Sequence, residues 1–206
     1  MCIRDKAWGR SDTGIQTSEA QSWLHIAPTQ SDIPIYMAAI GPRALRLAGE
    51  KADGVLLNTY SPLGYVRWAV EQIRDGARAV GRDPSSIDIA CMMVVRPEQQ
   101  LEYRQMKARI CRHFHESGGI SRYLIRDTPV TLAEVQRINE LMSTDKHEDA
   151  IALVPDELIE EYYLVGSYQN CADRIRDYRA AGVTNPLLLP RLENLKADLE
   201  GMAKYL

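Results

Sequence analysis

The sequence predicts an α/β protein built on four parallel strands, and three observations carry that prediction. Short, nearly continuous apolar runs alternate with segments of helical period. The runs lack the polar–apolar alternation of a sheet with one wet face, as expected for parallel strands covered on both sides. Each run is bounded by turn formers, most sharply at Gly41-Pro42, Asp53-Gly54 and Arg96-Pro97.

Residues 1–32 are polar, show neither period, and are expected to be an irregular N-terminal segment. From residue 33 the texture changes. The run Pro34-Ile35-Tyr36-Met37-Ala38-Ala39 predicts the first strand, with Pro34 at its start, where a missing N–H costs little. After Gly41-Pro42, the residues Ala44, Leu45, Leu47 and Ala48 form the apolar side of a helix whose first turn holds Pro42 or Arg43. Val55-Leu56-Leu57 predicts the second strand. A longer helix follows Ser61-Pro62, with Leu63, Val66, Val70, Ile73, Ala77 and Val80 at helical spacing, and stops at Gly81.

Ile87 to Val95 predicts the third strand. Residues 98–164 read as a helical insertion without a comparable strand. Its patterns run from Leu101 to His115, Ile120 to Ile125, Thr131 to Met142 and Asp156 to Tyr163, and Thr131 and Glu134 have capping-box spacing. Ser167 caps the next helix, which runs through Cys171, Ile175 and Tyr178 to Ala181 and stops at Gly182. Asn185 to Pro190 predicts the fourth strand, and Leu192 to Leu206 a closing helix. Right-handed parallel crossovers are the default for this series.

Composition narrows the function classes. The chain has 206 residues, 45% of them hydrophobic and 26% charged, so a sizeable core is available. Its 25 basic and 28 acidic residues, net −3, are spread along the chain; no nucleic-acid or membrane face is expected, and the partner is a small-molecule substrate. No apolar run reaches the length of a membrane span, and the N-terminus lacks a secretory core. Cys2, Cys91, Cys111 and Cys171 form no C-x-x-C pair, which fits reduced thiols in a cytoplasm and no metal site. His113 and His115, two apart on a helix, would face different ways.

The runs PIYMAAIGPRALRLAGEKADGVLLN, AVEQIRDGARAVGRDPSSIDIACMMVV and VGSYQNCADRIRDYRAAGVTNPLLLP resemble the C-terminal half of the luciferase-like monooxygenase superfamily, most of all its deazaflavin-dependent branch. The resemblance implies a partial (β/α)8 TIM-type barrel over residues 33–206, whose four strands are the fifth to the eighth of the family barrel. It leaves the family's first four strands without a counterpart ahead of residue 33. It also implies hydride transfer between a small organic substrate and a cofactor, either deazaflavin (coenzyme F420) or FMN.

On residue physics alone, Ala38-Ala39-Ile40-Gly41-Pro42 is a tight strand-to-helix turn. The resemblance turns it into a cofactor corner. Ala38, Ala39 and Ile40 line the ring, Gly41 permits close approach, and the helix opened by Pro42 and Arg43 offers N–H groups to a phosphate. Asn58 and Thr59, at the next strand's end, are the remaining cofactor-binding candidates. No residue is assigned as the catalytic acid or base. Two readings stay open: an oxidoreductase, or a non-catalytic half-barrel that needs a partner, with its open sheet edges inviting a homodimer.

Overall fold

The apolar runs do form parallel strands, and the longest of them organises the sheet. The computed structural model describes residues 33–97, 102–117 and 121–206; the irregular segment expected over residues 1–32 lies outside these. Among the described residues there are five strands: β1 (Tyr36–Ala38), β2 (Gly54–Leu57), β3 (Asp88–Pro97), β4 (Tyr163–Gly166) and β5 (Asn185–Leu189). The helices are α1 (Pro42–Lys51), α2 (Leu63–Ala79), α3 (Tyr103–Ser117), α4 (Ser121–Leu124), α5 (Leu132–Ser143), α6 (His147–Ala152), α7 (Glu157–Tyr162), α8 (Tyr168–Ala180) and α9 (Leu195–Ala203).

All pairings among the described residues are parallel. β1 pairs β2, β2 pairs the first half of β3, and both β4 and β5 also pair β3. Val94 is in register with Tyr163 of β4 on one side and Leu189 of β5 on the other, while Leu57 and Pro186 flank Cys91. β4 therefore continues along the edge of β3 that β2 has vacated. At that point the chain after β2 turns away, and Tyr60 takes left-handed backbone, φ 58°. Such a value is strained for an aromatic residue.

β4 is a fifth strand beyond the four that the sequence predicts. A helix is expected through Tyr163, but it ends at Tyr162 and the chain becomes extended. The physical reason is length: Tyr-Leu-Val-Gly is too short to display its own period and merges with the apolar spacing of Leu158, Ile159 and Tyr162. The capping boxes at Thr131 with Glu134 and at Ser167 with Asn170 are both present. Asp53 opens β2 structurally: its carboxylate accepts from the Ile35 N–H at 2.8 Å.

In a parallel sheet, residues in register share a face and neighbours along a strand alternate. The outer face carries Val55, Leu57, Ile89, Cys91, Met93, Val95 and Leu164, all buried in one core with Leu45 and Ala48 of α1, Ile73 of α2 and Cys171 and Ile175 of α8. α1 and α2 meet almost backbone to backbone. A Cβ on Gly49 would lie 2.0 Å from the Ile73 carbonyl oxygen, and one on Gly76 would lie 2.1 Å from that of Arg46. The inner face carries Ala38, Leu56, Met92, Leu187 and Leu189, and none of these is fully buried.

The insertion builds a second core of its own. Met106, Ile110 and Phe114 of α3, Val135 and Ile138 of α5, and Leu158 and Ile159 of α7 close over Val94 and Tyr163, so only the carboxyl end of the inner face is roofed. Among the described residues, no helix is long and apolar enough to cross a membrane.

Candidate functional site

The carboxyl ends of β1 and β2 open on a cavity of about 450 Å³ lined by Ala38, Ala39, Ile40, Gly41, Ala44, Leu56, Asn58 and Met92. The lining is small and mostly apolar. Five of the eight predicted site residues are in it: Ala38, Ala39, Ile40, Gly41 and Asn58. Pro42 is the first residue of α1, while Arg43 is exposed and Thr59 partly buried, and these three lie outside the lining. Ala44, Leu56 and Met92 were not anticipated. Ala44 repeats the small-residue signal of Ala38-Ala39, whereas Met92 is placed only by the register of β3.

The corner is held by its neighbours rather than by its own side chains. The Tyr65 hydroxyl, deep in the core, donates to the Ile40 carbonyl at 3.0 Å, and burial drives its acidity far out of reach. Gly41 is the N-cap of α1 and provides no side-chain cap. With Pro42 next, the first turn presents N–H groups at Arg43 and Ala44 that have no backbone partner within the helix. No acidic residue lies in that turn, so its partial positive charge is unopposed from within.

Gly41 itself needs a reason. Its backbone is extended, φ −84° and ψ 161°, which any residue adopts. The turn itself does not require glycine. A Cβ here would touch only the Tyr123 ring, at 3.8 Å, an ordinary contact. Neither conformation nor protein packing demands glycine; what a side chain would take up is room in the cavity, so the cradle fits a flat ligand lying close to backbone.

Asn58 is partly committed. Its Oδ1 accepts from the Thr59 N–H at 2.9 Å and lies 3.4 Å from the Thr59 hydroxyl, and its carbonyl accepts from Ser61 at 2.8 Å. The local turn thus uses the amide oxygen and the Thr59 hydroxyl, leaving the Asn58 NH2 as the polar donor of the lining.

Further along the rim, Tyr60 stands in an aromatic cluster. Its ring lies 4.9 Å from His113, 5.9 Å from Tyr162 and 5.3 Å from Tyr163. The Tyr163 hydroxyl donates to that of Tyr60 at 3.2 Å. Burial holds the His113 imidazole low, at about 4, so it is neutral, and its Nε2 is buried without a partner among the described residues. Glu161 and Arg174 form a partly buried pair at 2.9 Å. Cys91 is buried in the core and its thiol is pushed up to about 12, so it is inert. Among the described residues, no cluster of His, Cys, Asp or Glu could hold a metal.

The family model for luciferase-like monooxygenases matches residues 14–185. The chain belongs to that family. The match starts upstream of the Ile33 limit that the motifs set. The 5,10-methylenetetrahydromethanopterin reductase of Methanolobus tindarius is 31% identical over 153 residues, 74% of this chain and 47% of that protein. The same reductase from Methanopyrus kandleri is 32% identical over 154 residues, covering 75% and 44%. The chain thus spans about half the length of the curated relatives it matches. The solved structure of the coenzyme F420-dependent tetrahydromethanopterin reductase from Methanopyrus kandleri aligns at a TM-score of 0.64 and 28% identity, over 79% of this chain and 46% of that one. An F420-dependent secondary alcohol dehydrogenase in complex with an F420–acetone adduct aligns at 0.59 and 18% identity, covering 90% and 51%, a likeness of fold. The fold is accordingly a partial TIM-type barrel whose bare inner face corresponds to a barrel interior.

Proposed function

We propose that this chain provides the cofactor-binding part of an oxidoreductase that transfers hydride between a small organic substrate and a deazaflavin (coenzyme F420) or FMN. The carrying observation is Gly41, glycine where neither backbone nor packing requires it, at the mouth of a cavity walled by Ala38, Ala39 and Ala44. The bound cofactor would supply the redox chemistry. Ala38, Ala39, Ile40, Leu56 and Met92 exclude water from one side of a flat ring, and the Asn58 NH2 is placed to orient its polar edge. The N–H groups at the start of α1 favour a phosphate, and the exposed Arg43 adds long-range attraction. The buried thiols Cys91, Cys111 and Cys171 suit a cytoplasmic setting.

Titration of the purified chain with coenzyme F420 and with FMN, read by fluorescence, tests this reading. Saturable binding of one of them is the expected result, and absence of binding to both would refute it.

The inner face favours a second reading, a subunit that completes its site only with a partner. Ala38 and Leu56 on that face are not enclosed, Leu187 and Leu189 are 37% and 39% exposed, and both edge strands β1 and β5 carry exposed apolar residues. A homodimer through these edges would cover them. Sedimentation in the absence and presence of cofactor separates the two: a monomer that binds cofactor excludes the need for a partner in binding.

A further inference from the structure

Tyr123 belongs to the insertion, yet its ring reaches the corner at Gly41. Its neighbours in sequence pin it there. Leu124 is completely buried in the core of the outer face, whereas Ile125 packs on the second core, so α4 is tied to both. The Leu124 carbonyl accepts from the buried Tyr162 hydroxyl at 3.0 Å. Just beyond, Asp127 takes left-handed backbone, φ 57°, and its turn presses on the start of α2. A Cβ on Gly64 would lie 2.5 Å from the Asp127 carboxylate and 2.7 Å from the Arg126 carbonyl oxygen, so only glycine allows that approach. A stack then fixes the ring. Tyr123 and Trp68 of α2 are nearly parallel, with 8° between planes and 5.5 Å between centroids. The Arg126 guanidinium lies 4.9 Å over Trp68, and that of Arg122 lies 5.1 Å over Tyr123, both favourable placements for a cation. Trp68 also tilts against Tyr65, 5.8 Å away, whose hydroxyl holds the Ile40 carbonyl.

With Trp68 stacked on the ring and Arg122 over it, Tyr123 turns an edge to the corner. Its Cε2 lies 3.8 Å from where a Gly41 Cβ would sit, and that carbon adjoins the one bearing the hydroxyl. Gly41, Ile40 and Ala44 all line the cavity, and the last two pack with Tyr123 and Trp68 against the same core. A ligand that lies in the cavity and reaches the first turn of α1 crosses Gly41 and meets this edge. An aromatic edge carries partial positive charge, which suits a carbonyl or hydroxyl oxygen of the ligand. We infer that Tyr123 is a ligand-contact residue: its phenol edge forms the lip of the cradle at Gly41 and packs against the flat ring where the ring's side chain begins. Trp68 is the positioning residue behind it. The assignment rests on the cofactor reading and adds to it a residue from the insertion, so a site otherwise built by β1, β2 and α1 is shaped in part by α4.

The probe is whichever of coenzyme F420 and FMN the parent chain binds, titrated into the full chain and read by fluorescence. Tyr123→Leu keeps apolar bulk against Trp68 but loses the flat edge, and should weaken binding roughly tenfold. Tyr123→Phe keeps the edge and should bind within about threefold of the parent. The fluorescence of the bound ring should nevertheless rise in Tyr123→Phe, because a phenol beside the ring quenches it and a benzene ring does not. A purely structural role for Tyr123 would not move that signal. Tyr123 is only partly buried, so both variants should melt within a few degrees of the parent; if Tyr123→Leu does not fold, the signal from Tyr123→Phe decides alone. Unchanged affinity in Tyr123→Leu, or unchanged fluorescence in Tyr123→Phe, would overturn the assignment and leave the cofactor reading standing. A parent chain that binds neither cofactor would remove both.

Discussion

The two faces of one sheet differ more than any two elements of the chain. Outward, Val55, Leu57 and Val95 are completely buried beneath α1, α2 and α8. Inward, Ala38, Leu56, Met92, Leu187 and Leu189 are partly or largely open, while Ala90 is buried and the insertion roofs Val94 and Tyr163. The outer face carries the stability of this fold, and the inner face is free to be shaped by a ligand or a partner. Division of this kind suits a barrel, in which the interior at the carboxyl ends is where chemistry is done.

The largest effects are expected outside. Ile73→Ala, at a site with no exposure, should cost about 4 kcal/mol. Gly76→Ala should cost about 3 kcal/mol by forcing α1 from α2. Chemical denaturation measures both; a loss under about 1 kcal/mol in each would break the contrast between faces. The roofed end comes next. Because burial holds His113 at about 4 against an ordinary 6.5, the unfolded chain takes up a proton that the folded chain refuses. The resulting stabilisation is full above pH 6.5 and is lost as the pH falls toward 4. It amounts to about 3 kcal/mol, and denaturation of His113→Gln across that window should show a flatter pH dependence.

At the open end of the inner face, Gly41→Ala should change stability by less than about 0.5 kcal/mol. The same variant should weaken cofactor binding roughly tenfold by filling the cradle. If instead the variant is unstable, Gly41 belongs with the packing glycines and the site argument fails. The smallest effect on stability is expected for Leu187→Thr with Leu189→Thr, less than about 0.5 kcal/mol because both are already part exposed. Sedimentation of that double variant sharpens the comparison: loss of self-association would mark the inner face and its edge as a contact surface.

Local pattern made much of this legible. The caps at Thr131 and Ser167, Pro42 at the start of α1 and the strand at Val55 act through neighbours in sequence, so their signals survive without the fold. The cradle was legible through its small residues, and close approach at Gly41 was among the expectations. Its extended backbone shows that the reason for glycine lies in the space beyond it. β4 escaped because four residues cannot express a period, and the ring partners of Tyr60 escaped because they come from α3, α7 and β4.

By itself the sequence determined the class of the fold, the order of its elements and the corner at Ala38–Pro42, since turn chemistry and apolar spacing act over a few residues. Tertiary structure alone decided which strand residues face helices and which face the open interior. It also decided that β4 replaces β2 along β3. Those outcomes depend on register and on loop closure between remote segments, to which no local propensity responds.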